Sequence, residues 1–308
     1  MTIPARRPVA AAAGRWLRRS LSAFFCMALV LLGGCSALRL SYNQADWLVY
    51  RWLDNYADFD DVQAVRVRDA ITAWFAWHRR TQLPDYADLL QQIDADVSAE
   101  TNAERICSLW SAVAARLERS AMHAVPAIAD LAPTLKPAQI ESIENRYLKK
   151  NAEFIDEFLQ VDLARRAGES VRRVIRRAES LYQDLDQFQR ERVERWVADS
   201  PWNPNIAFDE RRRRQQDALQ LLRRLAGEPV DKAAAQAQIK GWIKRIERSP
   251  REPHRLHADR VMQYNCQLAA DIHNSMSPSQ RRIASKKLKS WAADLRALSA
   301  EAGDSAMR

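Results

Sequence analysis

Val171-Arg172-Arg173-Val174-Ile175-Arg176-Arg177-Ala178-Glu179-Ser180-Leu181-Tyr182-Gln183-Asp184-Leu185-Asp186-Gln187-Phe188 is the stretch that decides the fold. Along it Val171, Val174, Ala178, Leu181, Leu185 and Phe188 recur at alternating intervals of three and four, the spacing that lines one stripe of a packed helix. Arg172, Arg173, Arg176 and Arg177 fall on the opposite face. The same rhythm returns in Ala284, Leu288, Trp291, Leu295 and Leu298, and in Ile140, Ile143, Tyr147, Phe154 and Phe158. Glycine is scarce, with seven in 308 residues, and alternating β-branched runs are missing. The fold class is therefore all-α, an antiparallel multi-helix bundle or stacked helical hairpins. Helices are expected near 41–57, 60–80, 84–97, 102–131, 137–167, 170–185, 187–199, 208–226, 231–248, 254–275 and 278–300. Prolines punctuate three connections: Pro126, Pro133 and Pro137; Pro201 and Pro204; Pro250 and Pro253. The second marks a subdivision of the chain near 200–208.

Four of these helix starts share a pattern: an apolar residue, a capping position, and a glutamine three residues after it. It reads Phe59-Asp60-Asp61-Val62-Gln63, Leu135-Lys136-Pro137-Ala138-Gln139, Leu185-Asp186-Gln187-Phe188-Gln189 and Met276-Ser277-Pro278-Ser279-Gln280. Asp or Ser at the N-cap accepts from an orphan backbone N–H, while the glutamine reaches back to the cap amide. Proline as the first helical residue forfeits only an N–H that has no partner anyway. Lys136 departs from the pattern, because an ammonium cannot accept. Good helix starts alone account for such a repeat. Met276-Ser277-Pro278-Ser279-Gln280 also resembles the Leu-Thr-x-x-Gln elements of periplasmic stress chaperones of the Spy and CpxP type, which implies binding of unfolded clients.

The first 34 residues read as a signal peptide. Arg6, Arg7, Arg15, Arg18 and Arg19 form a basic start without an acidic residue, and Leu21 to Leu32 form an apolar segment. That segment is shorter than the roughly 20 apolar residues a transmembrane helix requires. Leu32-Gly33-Gly34-Cys35 is similar to a bacterial lipobox. The resemblance implies cleavage between Gly34 and Cys35 and a diacylglyceryl group, with palmitate-type chains, on the Cys35 sulfur. Two acyl chains suffice for stable anchoring. Ser36 after the cysteine resembles the sorting signal for the outer membrane, with the body, residues 35–308, facing the periplasm. Cys35 followed by Tyr42-Asn43-Gln44-Ala45-Asp46-Trp47-Leu48-Val49-Tyr50-Arg51-Trp52-Leu53-Asp54, then Tyr56, Asp58 and Gln63, resembles an uncharacterised family of proteobacterial lipoproteins grouped as a domain of unknown function. It implies the lipid anchor and the helical body, and no activity.

Charge and cysteine usage fit that address. Five of the 48 basic residues lie before residue 35, so the remainder holds 43 basic against 39 acidic residues, a net of +4. Such a mild excess argues against a nucleic-acid partner. With Cys26 removed and Cys35 lipidated, Cys107 and Cys266 remain, both on apolar stripes. In an oxidising compartment they either form a disulfide or stay as buried thiols.

Candidate sites are few. Tyr42, Trp47, Tyr50, Trp52 and Tyr56 give the segment nearest the anchor an aromatic set suited to a core, a membrane boundary or a partner. The Arg172–Arg177 face, Arg211 to Arg214, and Arg223 with Arg224 offer guanidinium groups for anions, or simply a solvated face paired with nearby acids. His254 and His257, three apart with Asp259 and His273 beyond, are the one pair spaced for a metal, without a third convergent ligand in the pattern. No nucleophile elbow, HExxH or phosphate loop occurs, so no catalytic residue and no cofactor is expected. The expectation is a non-enzymatic, lipid-anchored protein that binds envelope partners or unfolded clients. The alternative is an envelope enzyme or metal protein centred on His254 and His257.

Overall fold

The computed structural model describes residues 37–306, with side chains to Glu301, and every described element is helical. Gly34 and Cys35, with the whole signal segment, lie outside the described residues. Helix α1 (Ala37–Asn43) belongs to a separate unit made of residues 1–43, while the residues from Gln44 onward form one compact unit. That unit contains α2 (Ala45–Ala57), α3 (Asp61–Asp96), α4 (Ala103–Leu131), a 3₁₀ turn (Ala132–Thr134), α5 (Pro137–Phe158), α6 (Leu163–Tyr182), α7 (Gln187–Ala198), α8 (Pro204–Gly227), α9 (Lys232–Glu247), α10 (Glu252–Asn274) and α11 (Pro278–Ala306). Residues 200–208, read above as a subdivision, lie within it.

Neighbouring helices run antiparallel. Along the α3–α11 contact Arg281 bonds the Ser98 carbonyl, Lys289 faces Asp94, and Arg296 bonds Asp88. Glu144 with Arg223 and Asn151 with Gln215 mark the same opposed direction for α5 and α8. The main core joins Ile175, Ala178, Tyr182, Leu185, Val193, Ile272, Ala284 and Leu288. A second core gathers Val125, Leu225, Ala235 and Ile239 between α4, α8 and α9. Each fully buried aliphatic side chain contributes about 1.5–3 kcal/mol relative to exposure. The stripes at Ile140 and Ile143 and at Ala284, Leu288, Leu295 and Leu298 point inward as their spacing implies.

Several boundaries differ from the periodic reading, and the expected helix 41–57 is divided at Gln44 into α1 and α2. The expected helices 60–80 and 84–97 are one, α3, which runs through Pro84. A mid-helix proline costs about 3 kcal/mol, and burial of Leu83, Ala87 and Leu89 around it opposes that loss. Pro126 likewise sits inside α4 and brackets no connection. The break placed near Gly168 falls at 159–162 instead, where Asp162 caps α6 by accepting from the Arg165 amide at 3.0 Å. The stripe that opened at Val171 stops at Leu185. Gln183 takes a left-handed φ of 68° that ends α6, and Phe188 is exposed on α7.

The four glutamine starts meet in two pairs. Gln63 and Gln139, 76 positions apart, exchange side-chain amide hydrogen bonds at 3.1 and 2.7 Å. Gln189 and Gln280 do the same at 2.9 and 3.0 Å. Each glutamine Oε1 also accepts from its own cap amide, at Asp60, Lys136, Asp186 and Ser277. Each Nε2 also donates to the carbonyl two residues before its partner's cap: Thr134, Asp58, Ser275 and Asp184 respectively. Lys136, which cannot cap, places its Nζ 2.9 Å from the Asp60 carboxylate. The local capping device is thus also a long-range clasp, built twice.

Candidate functional site

The clasp between Gln189 and Gln280 fixes the start of α11 beside the loop that joins α3 to α4. That loop is held from the other side by α10. The Thr101 amide donates to Asn274 Oδ1, and Asn274 Nδ2 donates to the Thr101 carbonyl, both at 2.9 Å. His273 Nε2 lies 2.8 Å from the Ala99 carbonyl. A carbonyl can only accept, so Nε2 carries the proton and a neutral ring leaves Nδ1 as an acceptor. The Tyr182 hydroxyl supplies the matching proton at 2.8 Å. Burial pushes the Tyr182 hydroxyl up to about 12 and holds His273 below its ordinary value, so both stay neutral near pH 7.

Above this pair lies a cavity of about 460 Å³ between the end of α3, the start of α4, α6 and α10. Its volume falls within the usual range for ligand pockets. Ile93, Ile106, Leu109, Val174, Leu181 and Leu268 give it apolar walls. Arg105, Arg177, Asn265 and Thr101 stand among them. Arg105 is engaged, since its Nε donates to Asp96 Oδ2 at 2.9 Å. The Arg177 guanidinium and the Asn265 amide have no bonding partner among the described residues, and both are exposed. A larger cavity of about 570 Å³ lies along α11. There Arg281 is committed to backbone carbonyls and Lys289 faces Asp94.

Cys107 and Cys266 are joined by a disulfide with Cα atoms 5.5 Å apart, linking α4 to α10. Its neighbours in sequence, Ile106 on α4 and Asn265 on α10, both line the groove. The covalent link therefore ties together two of the helices that line it.

The other sequence candidates sort by partner. Arg172 bonds Glu169 at 3.2 Å, and Arg173 bonds Ser170 while lying 4.6 Å over the Phe158 ring. Arg211 donates to Asn151 at 2.8 Å, Arg212 lies over Phe208, and Arg223 bonds Glu144. Arg213 and Arg214 converge on Glu210, which is buried. Burial alone would raise the Glu210 carboxyl, but bonds from Arg213, Ser249 and Arg214 and the nearby His254 bring it down to about 2. These arginines serve the fold, and of the α6 face only Arg177 borders the groove. His254 Nδ1 and His257 Nε2 are buried without hydrogen bonds. Among the described residues no three His, Cys, Asp or Glu side chains gather as a metal site. His273, weighed as a distant third ligand, has both ring nitrogens engaged in the groove floor.

The aromatic set of residues 42–56 divides. Tyr50 is buried, and Tyr56 packs edge-on against Tyr147 with centroids 6.0 Å apart. Trp47 and Trp52 face outward, 56% and 57% exposed. Sequence reasoning found the Val174–Leu181 wall, Arg177 and the two cysteines. It missed Arg105, Asn265 and Tyr182, whose only signal was adjacency to those stripes.

A family model described as a family of unknown function, DUF6279, matches residues 55–232, more than half of the chain. The match covers Tyr56, Asp58 and Gln63 and begins after the 42–54 segment that carried the lipoprotein resemblance. No curated protein and no solved structure matches the chain.

Proposed function

We propose that this protein, which belongs to the DUF6279 family of unknown function, is a lipid-anchored, periplasm-facing, non-enzymatic binding protein of the outer membrane. It works in envelope maintenance, in a chaperone-like way, by holding apolar segments of client chains in the α3–α4–α6–α10 groove. The anchor is read from Leu32-Gly33-Gly34-Cys35 and the basic, apolar leader before it. A single observation carries the binding reading: an apolar cavity of about 460 Å³ whose rim holds an unbonded guanidinium, Arg177, and an unbonded amide, Asn265. An apolar side chain entering it loses water, while its backbone carbonyls or a neighbouring acid meet Arg177 and Asn265. No helix among the described residues is long and apolar enough to cross a membrane.

The test is suppression of aggregation of a reduced, unfolded client by the purified protein. Ala269→Trp fills the groove from an exposed position on α10, and Arg177→Glu reverses its free charge. Suppression by the native chain and its loss in both variants supports the reading. Equal behaviour of all three chains removes the groove from it.

A further inference from the structure

Helix α2 is apolar on both sides. Its inner side carries Tyr50 and Ala57, both buried, and half-buried Leu53. Its outer side carries Trp47, Leu48, Val49 and Trp52, each between 36% and 57% exposed. A surface helix normally turns charged and polar groups outward. On this outward arc the one charge is Arg51, whose guanidinium lies 5.6 Å over the Trp47 ring. Two indoles among aliphatic side chains, with a cation beside them, are suited to the boundary between lipid headgroups and acyl chains.

We propose that this outer face of α2 docks on the surface of a phospholipid bilayer, as a second contact beside the lipid on Cys35. Its orientation rests on the anchor reading under Proposed function, and it is independent of the groove. Chain length selects the bilayer over other occupants. Cys35 precedes the first residue of α2 by ten positions, a reach of at most about 35 Å even when fully extended. A tether that short holds the face at an effective concentration in the millimolar range, where weak partitioning suffices. The indole N–H groups and Arg51 then meet phosphate and carbonyl oxygens while Leu48 and Val49 enter the acyl boundary. Held this way, the body has a fixed side toward the membrane instead of swinging on its tether.

The experiment uses the chain from residue 35 with Cys35→Ser, which keeps the whole compact unit and carries no lipid. Its flotation with vesicles of phosphatidylethanolamine and phosphatidylglycerol is compared with that of the same chain carrying Trp47→Gln, Leu48→Gln and Trp52→Gln. These positions are exposed, and unchanged circular dichroism verifies the fold. The expected result is vesicle binding that drops at least ten-fold in the triple variant. Absence of vesicle binding in the unsubstituted chain overturns the proposal, as does equal binding by both. A self-associated species that the triple variant dissolves, without vesicle binding, overturns it in favour of a second copy of the chain. Because the assay uses unlipidated protein, a missing lipid at Cys35 leaves its outcome readable and is scored separately by mass.

Discussion

Gln189 and Gln280, 91 positions apart, hold each other's side-chain amides at 2.9 and 3.0 Å while each bonds its own helix cap. One residue type at the third position of a helix thereby satisfies a local amide, a distant carbonyl and a distant side chain. Gln63 and Gln139 repeat the arrangement.

Replacing Gln189 with leucine orphans the Ser275 carbonyl and the Asp186 amide. The expected loss is about 1–3 kcal/mol, since each lost hydrogen bond costs about 0.5–1.5 kcal/mol and both groups are only part-buried. Urea unfolding checks it. Adding Gln280→Leu should cost less than the sum of the two single changes, because both remove the same exchange. Strict additivity would show that the two side chains do not act as a unit.

The disulfide between Cys107 and Cys266 closes a loop across 159 positions. Removing it with Cys107→Ala and Cys266→Ala should lower stability by up to about 5 kcal/mol, the chain-entropy value for so long a loop. Denaturation of the native chain with and without reductant should reproduce that difference, while the double variant should not respond to reductant.

All five histidines sit where burial depresses their proton affinity: His78 to about 4, and His123, His254, His257 and His273 below the ordinary value. Their unfolded forms take up protons first as pH falls, so the stability held in the neutral folded rings is complete above about pH 6.5. It is lost between pH 6.5 and about 4, with His78 contributing on the order of 2 kcal/mol. Glu210 acts lower: its contribution is complete above about pH 4.5 and is lost as pH falls from there toward about 2. Unfolding free energy measured from pH 8 to 4 should decline mainly below 6.5, and His78→Phe should flatten that slope.

His254 and His257 should hold no stoichiometric metal in the purified protein, because no third ligand converges on them among the described residues. Elemental analysis of the native chain and of His254→Ala with His257→Ala checks this. A bound metal lost in the variant would favour the enzyme or metal-protein alternative.

Much of this architecture was legible in the sequence because helices advertise their packed side locally. The Val171–Leu185 and Ala284–Leu298 stripes needed only a period, and the glutamine starts only their capping chemistry. What escaped depends on partners far along the chain. Nothing near Gln63 names Gln139, and Pro84 reads as a stop until the burial of Leu83 and Ala87 is seen to outweigh it. The groove was half legible for the same reason. Arg177 stood out as one of four arginines, and only the structure separates it from Arg172 and Arg173, which bond within the chain. The aromatic run over residues 42–56 gave composition without direction, and inward Tyr50 and outward Trp47 and Trp52 became distinguishable only through burial.

The central claim, a binding body that works tethered to a bilayer, is tested most directly by the mass of the mature N-terminal peptide from the native host. The account predicts a chain that starts at Cys35 and carries diacylglyceryl on its sulfur. A free thiol at that position, or a retained leader, would contradict it.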